Sequence, residues 1–419
     1  MRRLVVLFVV FVFTTWPQFR GANHDNIVDT HPPGSWKTNP TILWSVKTEQ
    51  GHSGAAISDG RVYFMDHNLS EGKDLVRCLD LETGSELWRH SYPVLLKPKP
   101  SKWGVSRTVP AVSNGHVVTI GPMCHVTCLT IDGELVWRKD MVKEFGTKVP
   151  PWYTGQCPLI DDGKLIIAPG GDPLMMAINI SSGSVLWEVP NPNDWGMTHS
   201  SIVPFGDQYV YCTTKGIIGV KDGKVIWQNN DWVVPIANVP LPVPVSGTDL
   251  FLSGGYKMGS GLLRASGSNA DLVWSKKVHG KSTFNSECQT PIFWKGNIYG
   301  LMRNGKLACL DLKGNILWES KEGYAFGPYV MFENGTMLLL HCYFGTLTLL
   351  DVSPSGYTIL GTTDLLIKDA AKFKLEVAMK STMQKTKTKV QEVMAPMAVS
   401  GNKVVIRDAF NLYCVEMPW

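Results

Sequence analysis

The sequence lacks the patterns that mark several common enzyme classes. Its 419 residues contain no serine-nucleophile motif, no glycine-rich phosphate loop and no helical metal-binding motif. No two of its nine cysteines are adjacent, and charged residues make up only 18% of the chain, with a net charge of +4. A balance this close to neutral does not indicate nucleic acid or a membrane surface as a partner. These absences direct attention to the fold.

Repetition dominates what is present. Residues 78–88, CLDLETGSELW, have the pattern of a β-hairpin with a tight turn at residues 82–84. Related segments end at Trp137, Trp187, Trp227, Trp274 and Trp318, a partial copy ends at Trp44, and a copy without tryptophan ends at Leu360. Successive copies are roughly 40 to 50 residues apart, which is the length of a four-stranded propeller blade.

A second pattern lies between these hairpins, with an apolar strand start, often proline, and glycine five positions later. The pairs are Pro110 with Gly115, Pro158 with Gly163, Pro242 with Gly247, Pro291 with Gly296 and Pro396 with Gly401. Ala55 with Gly60, Ser201 with Gly206 and the longer Pro328 with Gly335 complete eight units. Each unit therefore predicts two hairpins and four strands, which indicates an all-β, eight-bladed propeller.

The two ends of the chain predict how the ring closes. The eighth unit begins at Pro396 and stops before its second hairpin returns. A strand at residues 41–48 pairing with one at residues 410–417 would supply the missing outer strand and remove the open edges. We therefore assign residues 41–419 to the propeller.

The segments outside the repeats have distinct compositions. Residues 1–15 combine Arg2 and Arg3 with a short apolar run, which predicts an export signal, with a buried strand as the alternative. The run is too short to span a bilayer and no cysteine follows it, so we expect neither a transmembrane anchor nor a lipid anchor in the mature chain. Residues 16–40 predict an irregular arm on the propeller surface. Residues 364–393 form a lysine-rich insertion, either a basic contact surface or a solvated loop.

The repeat, with Asp80, Thr83, Gly84 and Trp88 as its best example, resembles that of pyrroloquinoline-quinone-type (PQQ-like) propellers, in which tryptophans dock one blade onto the next. The segment WPQFRG at residues 16–21 is similar to the start of exported bacterial members. The resemblance implies two functional classes. One holds the quinone and Ca²⁺ in dehydrogenases that also carry adjacent cysteines. The other is similar to the scaffold lipoprotein of the outer-membrane barrel-assembly machinery.

The cysteines suggest packing more than metal or redox chemistry. Cys78, Cys128, Cys309 and Cys414 share one repeat position, where other units have Ala177 and Gly219. A small apolar slot explains all of these residues. The spacing from Cys124 to Cys128 is not a zinc spacing, and spacing alone identifies no disulfide.

Candidate site residues follow from counting back from the start of each inner strand, since propellers bind ligands at that end of the channel. The predicted rim comprises Arg107, Thr154, His199, Asn238, Glu287, Gln289, Tyr324 and Glu392. Converging charges and amides would suit a polar ligand or a peptide. Two carboxylates with His199 would also suit a metal or acid–base chemistry. The alternative is that these groups only hydrate a channel.

Tryptophans in the loops before the inner strands are candidates for a partner surface. They are Trp103, Trp195 and Trp232, with Trp152 in a similar position. Such a surface would recognise a protein, a peptide or a polysaccharide, whereas packing between loops is the other interpretation.

The sequence as a whole predicts an exported bacterial, periplasmic or extracellular, monomeric binding or scaffolding module. Its partner would be an envelope protein or a small polar ligand, and we expect no catalysis and no metal. The alternative is a dehydrogenase of alcohols or sugars that uses pyrroloquinoline quinone and Ca²⁺.

Overall fold

Eight β-sheets make up the chain in the computed structural model, which describes residues 15–30, 32, 34–36, 38–97, 104–278, 283–366 and 392–419. The inner strands of the first and second, the second and third, and the fifth and sixth sheets contact one another, and those of the first and eighth sheets also meet. The predicted all-β, eight-bladed propeller is confirmed. The predicted export signal, apart from Thr15, and residues 367–391 of the lysine-rich insertion lie outside the described residues.

The first half of the chain contributes two early strands, four sheets and a short helix. The early strands are β1 (Ile27–Val28) and β2 (Thr41–Lys47). The first sheet contains β3 (Ala55–Ser58), β4 (Arg61–Asn68), β5 (Lys73–Asp80) and β6 (Glu86–Pro93). The second contains β7 (Ala111–Ser113), β8 (His116–Ile120), β9 (His125–Thr130) and β10 (Leu135–Asp140), followed by α1 (Met141–Phe145). The third contains β11 (Leu159–Asp161), β12 (Lys164–Ile167), β13 (Met175–Asn179) and β14 (Val185–Val189). The fourth contains β15 (Val203–Phe205), β16 (Gln208–Thr213), β17 (Gly216–Lys221) and β18 (Lys224–Asn229).

The second half repeats the pattern. The fifth sheet contains β19 (Val243–Pro244), β20 (Asp249–Gly254), β21 (Gly259–Ser266) and β22 (Asn269–Lys276). The sixth contains β23 (Ile292–Trp294), β24 (Asn297–Leu301), β25 (Lys306–Leu310) and β26 (Ile316–Gly323). The seventh contains β27 (Tyr329–Phe332), β28 (Thr336–Leu340), β29 (Thr346–Ser353) and β30 (Gly356–Asp364). The eighth contains β31 (Ala398–Ser400), β32 (Lys403–Arg407) and β33 (Asn411–Glu416).

The eighth sheet is completed from the other end of the chain. Its strand order is β2-β33-β32-β31, and β2 pairs antiparallel with β33, with Ser45 opposite Tyr413. This is the predicted closure. The seventh sheet departs from the four-strand pattern, because β1 adds to it in parallel beside β27.

The repeated hairpin owes its shape to its own side chains. Asp80 accepts hydrogen bonds from the backbone N–H of Glu82 and Thr83 and from the Thr83 hydroxyl, at 3.0, 2.8 and 2.8 Å. This turn brings Gly84 to a φ of +70°, which glycine adopts without strain. A β-carbon at Gly84 would lie 2.6 Å from the ring of Trp44, which belongs to the neighbouring eighth sheet.

The indoles reach across the gaps between sheets. Trp44, Trp88 and Trp137 each donate their indole N–H to a backbone carbonyl of the following sheet, at 2.9, 2.8 and 2.7 Å. Trp274 and Trp318 do the same further along the ring, at 2.9 and 2.7 Å. These contacts lie on the face formed by the turns between the third and fourth strands, so the loops between sheets occupy the opposite face.

Candidate functional site: a funnel closed by the N-terminal arm

The N-terminal segment of residues 16–28, called here the arm, crosses the central channel. Trp16 exchanges backbone hydrogen bonds with Ile57 on the inner strand of the first sheet, at 2.9 and 2.8 Å. The Val112 N–H of the second sheet donates to the Pro17 carbonyl at 2.8 Å, and β1 pairs with the inner strand of the seventh sheet. The prediction of an arm on the propeller surface is therefore wrong for these residues. They pair with the open edges of inner strands, a position that composition does not reveal.

Arg20 holds the middle of the arm in place. The residue is 4% exposed. Its guanidinium donates to the carbonyls of His24, Asp25, Thr290 and Pro291, at 2.9, 3.0, 3.2 and 3.2 Å. Burial lowers the pKa of Arg20 to about 10, against the favourable effects of Tyr329 and Asp25. The group therefore stays charged at neutral pH, and it ties the arm to the sixth sheet.

Above the arm, two adjacent cavities form a funnel. The inner cavity, of about 180 Å³, is lined by Phe19 of the arm together with Cys157, Thr290 and Pro396. The outer cavity, of about 320 Å³, is lined by side chains from the loops between sheets, including Trp152, Phe326 and Glu392. The two cavities share the lining residues His52, Arg107, His199, Val239, Cys288 and Met394. The funnel thus lies on the loop face, with the arm and Phe19 at its base.

Four of the eight predicted rim residues come together in the outer cavity. They are Arg107, His199, Glu287 and Glu392. Gln289 lines the inner cavity, where its amide donates to the carbonyls of Phe326 and Met394 at 3.0 and 3.1 Å. Five of the eight residues found by counting back from the inner strands therefore line one funnel.

The remaining three predicted rim residues are not brought into the funnel lining. Thr154 is fully buried, with its hydroxyl 2.9 Å from the Cys124 sulfur. Asn238 is 5% exposed, and Tyr324 is 4% exposed in the core between the sixth and seventh sheets. Each of these three residues lies one or two positions from a residue that lines the funnel, but its own side chain is buried in packed protein.

The partner surface predicted from loop tryptophans is wrong for Trp195 and Trp232. They are 9% and 2% exposed and pack in the cores beside the third and fourth sheets. In each loop an asparagine side chain, Asn191 or Asn229, accepts the tryptophan backbone N–H at 2.9 or 3.2 Å. These turns hold the indoles inside the protein. Trp103 lies outside the described residues.

The titratable groups in the funnel have pKa values far from their usual ones. Burial lowers the pKa of Arg107 to about 10 and, together with Arg107, lowers that of His199 to about 4, against the hydrogen bond between His199 and the Pro151 carbonyl. Burial, with Glu287 adding to it, raises the pKa of the Cys288 thiol to about 12. At neutral pH the funnel therefore presents a cationic Arg107, a neutral histidine and a protonated thiol.

Aromatic side chains complete the lining, and the sequence had indicated only Trp152 among them, as a candidate for a partner surface. Trp152, Tyr256, Phe326 and Tyr343 each come from a different connection around the ring. Positive φ angles cluster here in residues other than glycine, at Trp152, Tyr153, Ile236, Tyr256, Lys257 and Ala325. Backbone strain of this kind collects at ligand sites. Apart from Trp152, no sequence pattern identified these positions, because the angles follow from how the loops pack.

The funnel does not fit the quinone and metal that the resemblance implies. Pyrroloquinoline quinone carries three carboxyl groups, whereas the outer cavity sets two carboxylates, Glu287 and Glu392, against one arginine, Arg107. Across the described ranges of the chain, no three His, Cys, Asp or Glu side chains are close enough together to hold a metal ion. The pairing of both carboxylates with His199 as metal ligands is therefore wrong. All nine cysteines lie in the described part of the chain and are free thiols.

The part of the chain that the structure describes contains no helix long and apolar enough to cross a membrane.

Comparisons with known proteins agree with the fold. A family model described as outer membrane protein assembly factor BamB matches residues 71–231. A europium-containing methanol dehydrogenase has a TM-score of 0.65 at 12% identity, covering 96% of this chain and 98% of that chain. Quinohemoprotein alcohol dehydrogenase from Comamonas testosteroni also has a TM-score of 0.65, at 10% identity, covering 97% of this chain and 81% of that chain. The computationally designed Ika8 protein has a TM-score of 0.57 at 12% identity, covering 90% of this chain and 99% of that chain. At these identities the structures show a shared fold alone. No curated protein matches the sequence.

Proposed function

We propose that this chain, a β-propeller of the PQQ-like repeat family, is an exported binding module that takes a small polar ligand in its funnel. One observation carries the proposal: the arm fills the channel from one side, while Arg107, Glu287 and Glu392 converge on a cavity at the other. A concave site with few charged groups and several aromatic rings is typical of small-molecule binding.

The state of the titratable groups favours binding over catalysis. The thiolate is the reactive form of cysteine, and burial keeps the Cys288 thiol protonated at neutral pH. His199 has its Nε2 2.9 Å from the Pro151 carbonyl oxygen and a pKa near 4. A neutral histidine anchored to the backbone serves better as a wall or a hydrogen-bond partner than as a base near pH 7.

A scaffolding role with an envelope protein is a second candidate. The matched family model is described as an outer membrane assembly factor. Three apolar side chains are exposed in the loops between sheets, namely Leu95 at 89%, Ile236 at 68% and Trp152 at 39%. Exposed apolar groups on one face suit a protein partner. Both roles place recognition on the loop face.

A ligand screen tests the proposal. Wild-type protein, Arg107→Met, Glu392→Gln and the control Lys224→Met would be incubated with a library of polar metabolites and analysed by native mass spectrometry. We expect a ligand that wild type and the control retain and that both funnel variants lose. Lys224 lies on the outer strand β18 and is a suitable charge control.

Two outcomes would contradict the proposal. One is retention of every bound metabolite by both funnel variants, which would place binding elsewhere. The other is stoichiometric binding of pyrroloquinoline quinone with Ca²⁺ and dye-linked oxidation of alcohols or sugars, which would establish the dehydrogenase. Capture of an envelope protein that depends on Leu95 and Ile236 would instead support the scaffold.

A further inference from the structure

The outer cavity of the funnel has a negative, aromatic wall on the side of the fifth to eighth sheets. Gly255 directly follows β20, and a β-carbon there would lie 2.6 Å from Cγ of Glu287. Because Gly255 has no side chain, the Glu287 side chain packs against the backbone beside Tyr256. Glu287 also pairs with Arg303 at 2.9 Å at the edge of the funnel. On the same side, Tyr343 and Glu392 both line the cavity.

The electrostatics of the two tyrosines agree with this placement. Burial raises the pKa of Tyr256, and the Glu287 carboxylate adds to the effect. Burial raises the pKa of Tyr343 to about 12, with Cys342 and Glu392 adding to it. Each tyrosine ring is thus close to a carboxylate, and Phe326 supplies a third ring to the same wall.

The opposite wall is cationic. Arg107 donates from Nε to the Trp152 carbonyl at 2.5 Å and from Nη2 to the Gly104 carbonyl at 3.4 Å. These contacts hold the planar guanidinium in one orientation. The Trp152 and His199 rings lie beside it, with centroids 6.2 Å apart. Because His199 is neutral at pH 7, Arg107 is the cation of this wall.

Two walls of opposite charge favour a ligand that carries both a positive and a negative charge. Aromatic rings attract a cation through their negative faces, most strongly where water is excluded. A guanidinium with fixed geometry recognises a carboxylate through paired hydrogen bonds. A cavity of about 320 Å³ is at the lower end of the range for ligand pockets, which favours a small molecule.

We propose that the funnel binds a small zwitterion, with its ammonium group among Tyr256, Tyr343 and Phe326 and its carboxylate on Arg107. The proposal rests on the function proposed above and specifies the ligand class of the same site. Glu287 and Glu392 neutralise the ammonium charge from two sides. A dicarboxylate would meet repulsion from both glutamates, and a neutral sugar would gain no charge interaction with either wall.

Isothermal titration calorimetry with three probes of similar shape tests the ligand class. Glycine betaine carries both charges, 3,3-dimethylbutanoate replaces its nitrogen by carbon and keeps only the carboxylate, and choline keeps only the cation. We expect betaine to bind with a Kd below about 1 mM, and each analogue at least about tenfold more weakly. Equal binding of betaine and 3,3-dimethylbutanoate would overturn the cation site, and equal binding of betaine and choline would overturn the role of Arg107.

Variants locate the binding and separate this inference from the broader proposal. Tyr343→Leu is expected to weaken betaine about tenfold, and Arg107→Met to remove the preference for betaine over choline. Tyr357→Leu, on the outer strand β30, is the matched control with unchanged affinity. Binding of betaine that neither funnel variant changes would contradict the inference. Absence of zwitterion binding, with another metabolite retained in an Arg107-dependent manner, would disprove the ligand class and leave the funnel as the binding site.

Discussion

At the scale of residues, the repeat pairs a large tryptophan side chain with a small residue on the neighbouring strand. Cys78 lies directly opposite Trp88 on the neighbouring strand, and Cys128, Ala177 and Gly219 lie opposite their own tryptophans in the same register. A β-carbon at Gly219 would lie 2.1 Å from the Trp227 ring. The residue opposite the indole is thus small in these four sheets, in agreement with the small apolar slot that the sequence predicted, whereas in the fifth sheet Leu262 lies opposite Trp274.

Replacing Gly84 by alanine tests the contact between a turn and the preceding indole. Gly84 has a φ of +70° and Gly115 a φ of +74°, but a β-carbon at Gly84 would meet the Trp44 ring, whereas Gly115 has no atom within 4 Å. Both variants incur backbone strain of about 1 to 3 kcal/mol. We expect Gly84→Ala to lose about 1 to 3 kcal/mol more than Gly115→Ala in urea unfolding, because the Trp44 ring must move. Equal losses would show that the indole contact contributes nothing.

The protonation of His199 predicts a sensitivity to acid. Its pKa is near 4 in the folded protein and about 6.5 in an unfolded chain. The unfolded state therefore binds more protons between these values, so stability falls as pH decreases from 6.5 to 4, by up to about 3 kcal/mol for this group. We expect His199→Gln to reduce that slope in urea unfolding at several pH values. An unchanged slope in His199→Gln would contradict the lowered pKa.

At the scale of elements, the arm is what the sequence interpretation placed wrongly. Residues 16–40 are polar and rich in turn formers, which is typical of a surface segment. Inner strands of a propeller, however, leave backbone groups unpaired along the channel, and these groups need partners. The arm supplies them through its own backbone and through the Arg20 guanidinium.

Removing the Arg20 guanidinium would release the arm. We expect Arg20→Met to cost about 2 to 5 kcal/mol in urea unfolding, because four carbonyl oxygens lose a charged donor in a buried site. Limited proteolysis should then cleave the arm before the propeller. Arg264→Met is the matched control: Arg264 pairs with Asp249 at 2.8 Å on the surface, and its loss should cost much less. Similar losses in both variants would show that the arm is not anchored by Arg20.

The seventh sheet shows how one element compensates for another. Gly361, and not Leu360 as the sequence predicted, occupies its tryptophan position, because Gly361 lies opposite Leu349 as Trp88 lies opposite Cys78. Trp36, which precedes β2, lies against the same strand: a β-carbon at Gly361 would be 2.7 Å from its ring. The departure visible in the sequence is thus filled by a residue distant along the chain.

At the scale of the whole molecule, stability depends on closing the ring. β33 lies between β2 and β32 in the eighth sheet, and Trp44 of β2 donates to the Leu81 carbonyl of the first sheet at 2.9 Å. Because each sheet packs only on its neighbours, an open gap would expose two faces at once.

Truncation tests closure directly. Deleting residues 408–419 removes β33 and is expected to lower the melting temperature by more than about 10 °C or to prevent folding. Deleting residues 418–419, which follow β33, should have a much smaller effect. An unchanged melting temperature in the longer truncation would refute closure through β2 and β33.

The sequence by itself determined the sheets, because blade formation is local. Turn residues such as Asp80 and Gly84 shape each hairpin, and their regular spacing sets eight blades and the strand that closes them. It also indicated the end of the channel at which Arg107, His199, Glu287 and Glu392 meet. Only the tertiary structure decided which side of the channel is filled, which rim residues are buried and which rings line the funnel. These features depend on contacts between residues hundreds of positions apart, such as Arg20 with Pro291, for which the local pattern carries no signal.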